Sequence, residues 1–450
     1  MSMPLRLDDV RPCFEGAIPA MMATCAPDGT PNVAYLSQVE YVDGAHLALS
    51  FQFFNTTRRN VLANPLVEIL VVHPMTAAIY RIRARYLRTE TSGPLFENMK
   101  ARLSGIASHT GMGDVFKLQG ADIYHVLGLE HVPKPDLPAP AASRAPLPAL
   151  RRCSERLARC SDLDELLQAT LDGLRSEFDI QHAMLLMTDV GGGRLYTVAS
   201  CGYSSSGIGS EVPLGHGVIG VAARERTPVR ISHMTAEYTY SRAIRDSLTR
   251  QGQAAALELE IPWPGLAEPH SQLAVPLCAG GELVGVLFVE SLQDLRFSYD
   301  DEDALVSLAA QIAPAVRQLQ SCADQPEEPV LQTPPAGPAA VRAAEPVTVR
   351  YYSADSSVFL GNDYLIKGVA GAILWKLLRD HVELGRTEFT NRELRLDAQI
   401  RLPDVSDNLE ARLVLLARRL VERDACVRIG KTGRGRFRLD VSCTLQLQLV

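Results

Sequence analysis

At 450 residues, with 46% hydrophobic and 22% charged content, the chain is ordinary for a folded protein and too long for one core, so two to four domains are expected. A net charge of -7 excludes a protein that coats nucleic acid along its whole length, yet residues 347–450 hold 17 Lys+Arg against 13 Asp+Glu, a net +4 that leaves -11 on the rest. The nine cysteines form no Cys-x-x-Cys pair, no apolar run reaches the length of a membrane span and no leader pattern opens the chain. A zinc ribbon, a thioredoxin-like site and a membrane location are thereby disfavoured, and a cytoplasmic protein with reduced thiols and no metal is expected.

Two Pro/Ala-rich stretches, 132–149 and 323–346, lack the large apolar residues a core needs and read as semi-rigid linkers. They divide the chain into modules at 1–131, 150–322 and 347–450. The fold class expected is α+β and multidomain.

The first module is dominated by strand patterns. Ile18 to Cys25 and Val33 to Val42 flank Ala26-Pro27-Asp28-Gly29-Thr30-Pro31, a hairpin signal because glycine accepts positive φ. Further strands are expected over His46–Phe51, Leu66–His73, Ala78–Leu87 and Asp122–Leu127, with a helix over Gly93–Ser108, and the whole suggests a small barrel. The APDGTPNV hairpin and the run Phe54-Asn55-Thr56-Thr57-Arg58-Arg59-Asn60-Val61-Leu62-Ala63-Asn64-Pro65 resemble the flavin-binding split-barrel family related to pyridoxamine phosphate oxidase. The resemblance implies an FMN site in which Asn55, Thr57, Arg58 and Arg59 hold the phosphate, assisted by Arg81 and Arg83. Hydroxyls and guanidinium groups suit that task through charge-assisted hydrogen bonds. The family's usual lysine falls on Thr57. Two readings stand: a barrel that holds flavin, and an empty barrel in which Arg58 and Arg59 are the solvated first turn of a helix. No catalytic constellation is legible, which favours sensing over turnover.

In the second module a helical pattern runs over Ala149–Phe178, followed by strands at His182–Thr188 and Arg194–Ala199. GHGVIG at 215–220, LAVPL at 273–277, GELVGVLFVE at 281–290 and FSYDDEDAL at 297–305 together resemble a GAF domain. The resemblance implies an antiparallel sheet with helices, a small-molecule effector bound between sheet and lid, and homodimers formed through terminal helices. The lid candidates are Tyr238, Tyr240 and Trp263; they either line a pocket or merely cover the sheet.

The third module reads as short strands around Gly361-Asn362-Asp363, a helix over Val369–Asp380, a second from Thr390 with Glu393 at capping-box spacing, a third from about Ser406 to Arg423, and a basic hairpin at 427–439. This order, with ARRL ending the third helix and VRIGKTGRGRFRL after it, resembles the OmpR-type winged helix. The resemblance implies DNA as the partner, with Asn408 and Arg412 on the recognition helix and Lys431, Arg434 and Arg436 on the wing. The apolar run Leu413-Val414-Leu415-Leu416 keeps a protein-docking surface open as the alternative. The reading is a one-component transcriptional regulator whose barrel and GAF domain sense ligands or redox state. Its rivals are an FMN-dependent oxidoreductase and a signalling adaptor.

Overall fold

A computed structural model describes residues 5–15, 18–36, 38–51, 56–110, 118–133, 137–138, 145–189, 191, 193–232, 261–323, 346–397, 400 and 408–450; of 104–110 and 322–323 only the backbone is described.

The N-terminal module opens with a 3-10 turn, Leu7–Phe14, and continues through β1 (Ala20–Cys25), β2 (Pro31–Leu36), β3 (Val39–Asp43), β4 (His46–Phe51), α1 (Thr56–Ala63), β5 (Leu66–Val72), β6 (Ile79–Glu90), α2 (Pro94–Thr110) and β7 (Gly120–His131). The strands form one antiparallel, barrel-like sheet in the order β2-β1-β5-β6-β7-β4-β3. The expected hairpin forms: Gly29 takes φ +88° and Asp28 Oδ1 accepts from Thr30 N at 2.9 Å. The strand expected over 33–42 is two. β2 ends at Leu36 and β3 starts at Val39, and they lie at opposite edges of the sheet. A continuous apolar alternation cannot reveal that break, since both halves keep a period of two.

The central module contains α3 (Pro146–Leu157), α4 (Leu163–Glu177), β8 (His182–Asp189), β9 (Arg194–Cys201), β10 (Glu211–Pro213), α5 (Gly217–Glu225), β11 (Val229–Ile231), β12 (Ser271–Ala279), β13 (Glu282–Ser291) and α6 (Tyr299–Ala323). Its six-stranded antiparallel sheet has the order β10-β9-β8-β13-β12-β11. The helical pattern at 149–178 breaks in two because the Asp162 carboxylate accepts from Glu165 N and caps α4 afresh. α6 opens on a reciprocal cap: Ser298 Oγ accepts from Asp301 N and Asp301 Oδ2 accepts from Ser298 N.

The C-terminal module comprises β14 (Val347–Tyr352), β15 (Ser357–Leu360), β16 (Asp363–Ile366), α7 (Gly368–Leu384), β17 (Glu388–Thr390), α8 (Asn391–Leu396), α9 (Leu409–Glu422), β18 (Val427–Gly433), β19 (Arg436–Val441) and β20 (Leu445–Leu449). The expected order of small sheet, three helices and hairpin is present. Sequence reading missed β20, which runs parallel to β14 and closes the sheet β16-β15-β14-β20. Its half-polar pattern, Leu-Gln-Leu-Gln-Leu, is that of an edge strand with one face, Leu445 and Leu447, partly buried. A second correction concerns the thiols: Cys426 and Cys443 form a disulfide with Cα atoms 5.8 Å apart, where reduced cysteines were expected throughout.

Two contacts join the modules. α2 of the first module packs on α5 and β11 of the second, and Tyr299 of α6 is buried in the core of the first sheet. α9 lies between the C-terminal core and the elements β9, α4 and α6 of the central module, so the two share one continuous apolar core.

Candidate functional sites

The first site is the turn that opens α1. Asn55 lies outside the described residues. Thr57 is buried, and its hydroxyl accepts from Asn32 Nδ2 at 2.9 Å. Arg58 points inward. Its Nη1 meets Asp122 at 2.5 Å, its Nη2 donates to Thr89 Oγ1 at 2.7 Å, and its guanidinium stacks over Phe51. Burial pushes the Asp122 carboxyl up, and Thr89 and Arg58 pull it back. A guanidinium so engaged is a structural strut rather than an available anion ligand.

Arg81 and Arg83 stand on the exposed face of β6. They pair with Glu68 at 3.2 Å and Glu130 at 3.4 Å. Arg59 is different: it is exposed, held only by Thr56 Oγ1 at 3.1 Å, and has no acidic partner among the described residues. Tested against an FMN phosphate, the group therefore fits through Arg59 and the Thr56 hydroxyl at the start of α1. Arg58 does not fit, because its carboxylate partner would have to be displaced.

The second site is the face of the central sheet that α5 covers. Val286 and Phe288 of β13 belong to the core on that face, and the period of two puts Glu290 beside them. Glu290 is 2% exposed. Its carboxylate accepts from Leu266 N at 2.7 Å and Gln272 Nε2 at 3.0 Å, and burial holds its pKa above the usual carboxylate range. Gln272 Oε1 is buried without a partner. The Tyr203 hydroxyl stands beside Glu290 without reaching hydrogen-bond geometry. Trp263 closes one end, its ring centroid 6.0 Å from that of Phe288. This is a buried, incompletely satisfied polar cluster on an apolar wall, the chemistry of a small-molecule site. Of the lid aromatics expected there, Trp263 reaches it; Tyr238 and Tyr240 lie outside the described residues. Sequence reading missed Glu290, Gln272 and Tyr203. The available signal was a glutamate closing the apolar run Val286–Val289 in a strand flanked by others.

The third site is α9. Asn408, expected to face DNA, caps the helix instead: its Oδ1 accepts from Ala411 N at 2.9 Å. Arg412, expected beside it, is buried against the central module, 3.0 Å from Asp189 and over the Tyr196 ring. Arg418 follows one and a half turns on, 2.7 Å from Asp164 and donating to Val198 O at 3.1 Å. In this arrangement the face meant for a groove is covered. The physical reason is that Leu415, buried with them, makes that face amphipathic enough to close an apolar interface. Of the expected wing residues, Arg434 is exposed and Arg436 half-buried, while Lys431 joins the contact between the modules, 3.3 Å from Asp162 and 3.4 Å from Glu410.

Among the described residues no group of three or more His, Cys, Asp or Glu side chains is placed to hold a metal, and no helix is long and apolar enough to cross a membrane.

Comparison with known proteins agrees with the first two modules. Residues 160–317 match the GAF domain family, and residues 7–126 match the pyridoxamine 5'-phosphate oxidase family. Both matches end before the C-terminal module, for which the winged helix remains an expectation from sequence. No curated protein matches the chain. Among solved structures, the GAF domain of an Acinetobacter phosphoenolpyruvate-protein phosphotransferase is similar at 21% identity, over 40% of this chain and 97% of that one, with a TM-score of 0.31. Free methionine-R-sulfoxide reductase from Neisseria meningitidis is similar at 19% identity, over 41% and 97%, with a TM-score of 0.31. An FMN-binding protein from Syntrophomonas wolfei is similar at 14% identity, over 28% and 86%, with a TM-score of 0.24.

Proposed function

From a chain that joins a pyridoxamine-phosphate-oxidase-like barrel to a GAF domain, which supports a sensory role, we propose a signalling protein whose C-terminal winged helix is a DNA-binding output held closed by the GAF domain. The observation that carries this reading is the grip on α9: Asp189 and Asp164 of the GAF domain hold Arg412 and Arg418 of the helix that would enter the groove. Occupancy of the GAF face around Glu290, or a change in the barrel, shifts the balance between gripped and released states to the extent that it favours one of them. Flavin, where bound, supplies redox sensitivity, with Arg59 and Thr56 holding its phosphate. A homodimer in the cytoplasm, bound at paired half-sites, completes the reading.

The test is binding of the full chain to its own upstream DNA across a salt series, comparing wild type with the double variant Asp164→Ala, Asp189→Ala. Release predicts tighter, sequence-specific and salt-sensitive binding by the variant. A folded variant that binds its upstream DNA no better than random duplex overturns DNA as the output.

A further inference from the structure

We propose that the cleft between the GAF domain and the C-terminal domain is a binding site for a small molecule with an apolar body and one anionic group. The cleft encloses about 500 Å³, within the range of small-molecule sites, and such sites favour domain junctions. Four elements wall it: the first turn of α4, the start of α8, the outer face of α9, and the β18–β19 hairpin. Its floor is apolar, made by Val414, Ala417 and Val421 of α9 with Ile429 and Phe437 of the hairpin. Val421 is 61% exposed, so the floor is open to an apolar ligand rather than filled by the protein's own packing.

One arginine at the rim gives the ligand its sign. Each of the four carboxylates there has a cationic partner, although Lys431 serves two of them: Asp162 with Lys431 at 3.3 Å, Asp164 with Arg418 at 2.7 Å, Glu410 with Lys431 at 3.4 Å, and Glu422 with Arg419 at 2.9 Å. Arg436 lines the same cleft and has no acidic partner among the described residues. A half-buried guanidinium above an apolar floor, beside carboxylates that already have their own cationic partners, suits a carboxylate, sulfonate or phosphate monoester.

A second polar group points the same way. Asn391 lines the cleft and is 1% exposed. Its Nδ2 donates to Glu410 Oε2 at 2.8 Å, while its Oδ1 is buried without a partner. An orphaned acceptor in a cleft is a place for a ligand hydroxyl or N–H. Because both domains contribute walls, occupancy alters the contact between them. The site itself does not depend on whether the C-terminal domain binds DNA.

Two dyes test this on the full chain. The anionic 8-anilinonaphthalene-1-sulfonate has the required apolar body and single charge, and the neutral N-phenyl-1-naphthylamine has the body alone. Saturable fluorescence enhancement by the anionic dye at one per chain is expected. Arg436→Ala, which breaks no ion pair or side-chain hydrogen bond among the described residues, weakens the anionic dye by about tenfold or more and leaves the neutral one unchanged. Ala417→Trp fills the floor and weakens both. Absence of saturable binding, or anionic-dye affinity unchanged by Arg436→Ala, overturns the proposal. A misfolded Ala417→Trp chain leaves the arginine variant to decide.

Discussion

Arg102 of the barrel's α2 donates from one Nη2 to both oxygens of Glu302 on the GAF domain's α6, at 2.9 and 2.8 Å, and from Nη1 to Glu40 of the barrel at 2.8 Å. Arg230 of the GAF domain reaches Glu302 at 2.6 Å and also pairs with Glu15. All five side chains are less than one-tenth exposed. A network of this kind joins two domains with a geometry that admits little sliding, because any displacement strands a buried charge. Arg102→Met keeps much of the volume and leaves Glu40 without its arginine. The expected loss is about 3–5 kcal/mol in denaturant unfolding, with the linker after β7 becoming more open to proteolysis. A loss below about 1 kcal/mol in the same measurement would show that Arg102 contributes little to holding the two domains together.

The same network makes stability depend on pH. Burial, only partly opposed by Arg102, raises Glu40 to about 7, with the Glu302 charge pushing the same way and Arg11 against it. The unfolded chain, with its carboxyl at an ordinary value, binds fewer protons than the folded one between about 4.5 and 7. Glu40 therefore favours folding at low pH, and this contribution is lost as pH rises toward 7. Glu302 runs the other way: burial raises it, but Arg102 and Arg230 outweigh burial and hold it low, so its contribution is lost on acidification. Comparing Glu40→Gln with wild type isolates the first effect. Their difference in stability should change across pH 4.5 to 7 in the variant's favour; a difference flat in pH would contradict the raised value.

What could be read from the residues divides along physical lines. Some hairpins and caps were legible because they are written in adjacent residues: Asp28-Gly29, and Thr390 accepting from Glu393 N three residues on; the caps at Asp162 and Asn408 were not. The GAF sheet was legible because its buried strands are nearly continuous apolar runs. Partners distant in sequence were not. Nothing local distinguishes Arg58, spent on Asp122 sixty-four positions away, from Arg59 beside it, which faces solvent. Nor does the α9 sequence reveal whether Arg412 is turned to a groove or to Asp189, since either face of the helix is amphipathic. The Leu445–Leu449 strand has meaning only once β14 is in place to receive it.

The arginine distinction yields a flavin prediction. Arg59 has no acid to surrender among the described residues, whereas Arg81 and Arg83 would each give up a glutamate to meet a phosphate. In titrations of the purified chain with FMN, followed by quenching of flavin fluorescence, Arg59→Ala should weaken binding by about tenfold or more. Arg81→Ala should leave it within about threefold, as befits exposed, already paired charges. A loss from Arg81→Ala with none from Arg59→Ala would place the phosphate on the β6 face instead.

The disulfide gives a prediction with two independent readings. Cys426 precedes β18 and Cys443 follows β19, so the bond ties the base of the basic hairpin across 17 residues. Ser442 N and Oγ both donate to Cys426 O, at 2.8 and 3.1 Å, so the backbone at the base of the hairpin is already held close without the bond. Of nine cysteines in the chain, one pair leaves seven thiols to react in denaturant, against nine if the pair is reduced. Closing a loop of this length restricts the unfolded chain by an amount worth about 3 kcal/mol. Cys443→Ser should therefore lower the midpoint of thermal unfolding, and reductant should lower wild type to the same value while leaving the variant unmoved. Nine reactive thiols, together with a melting curve that ignores both reductant and substitution, would mean that the hydrogen bonds alone define the hairpin's base.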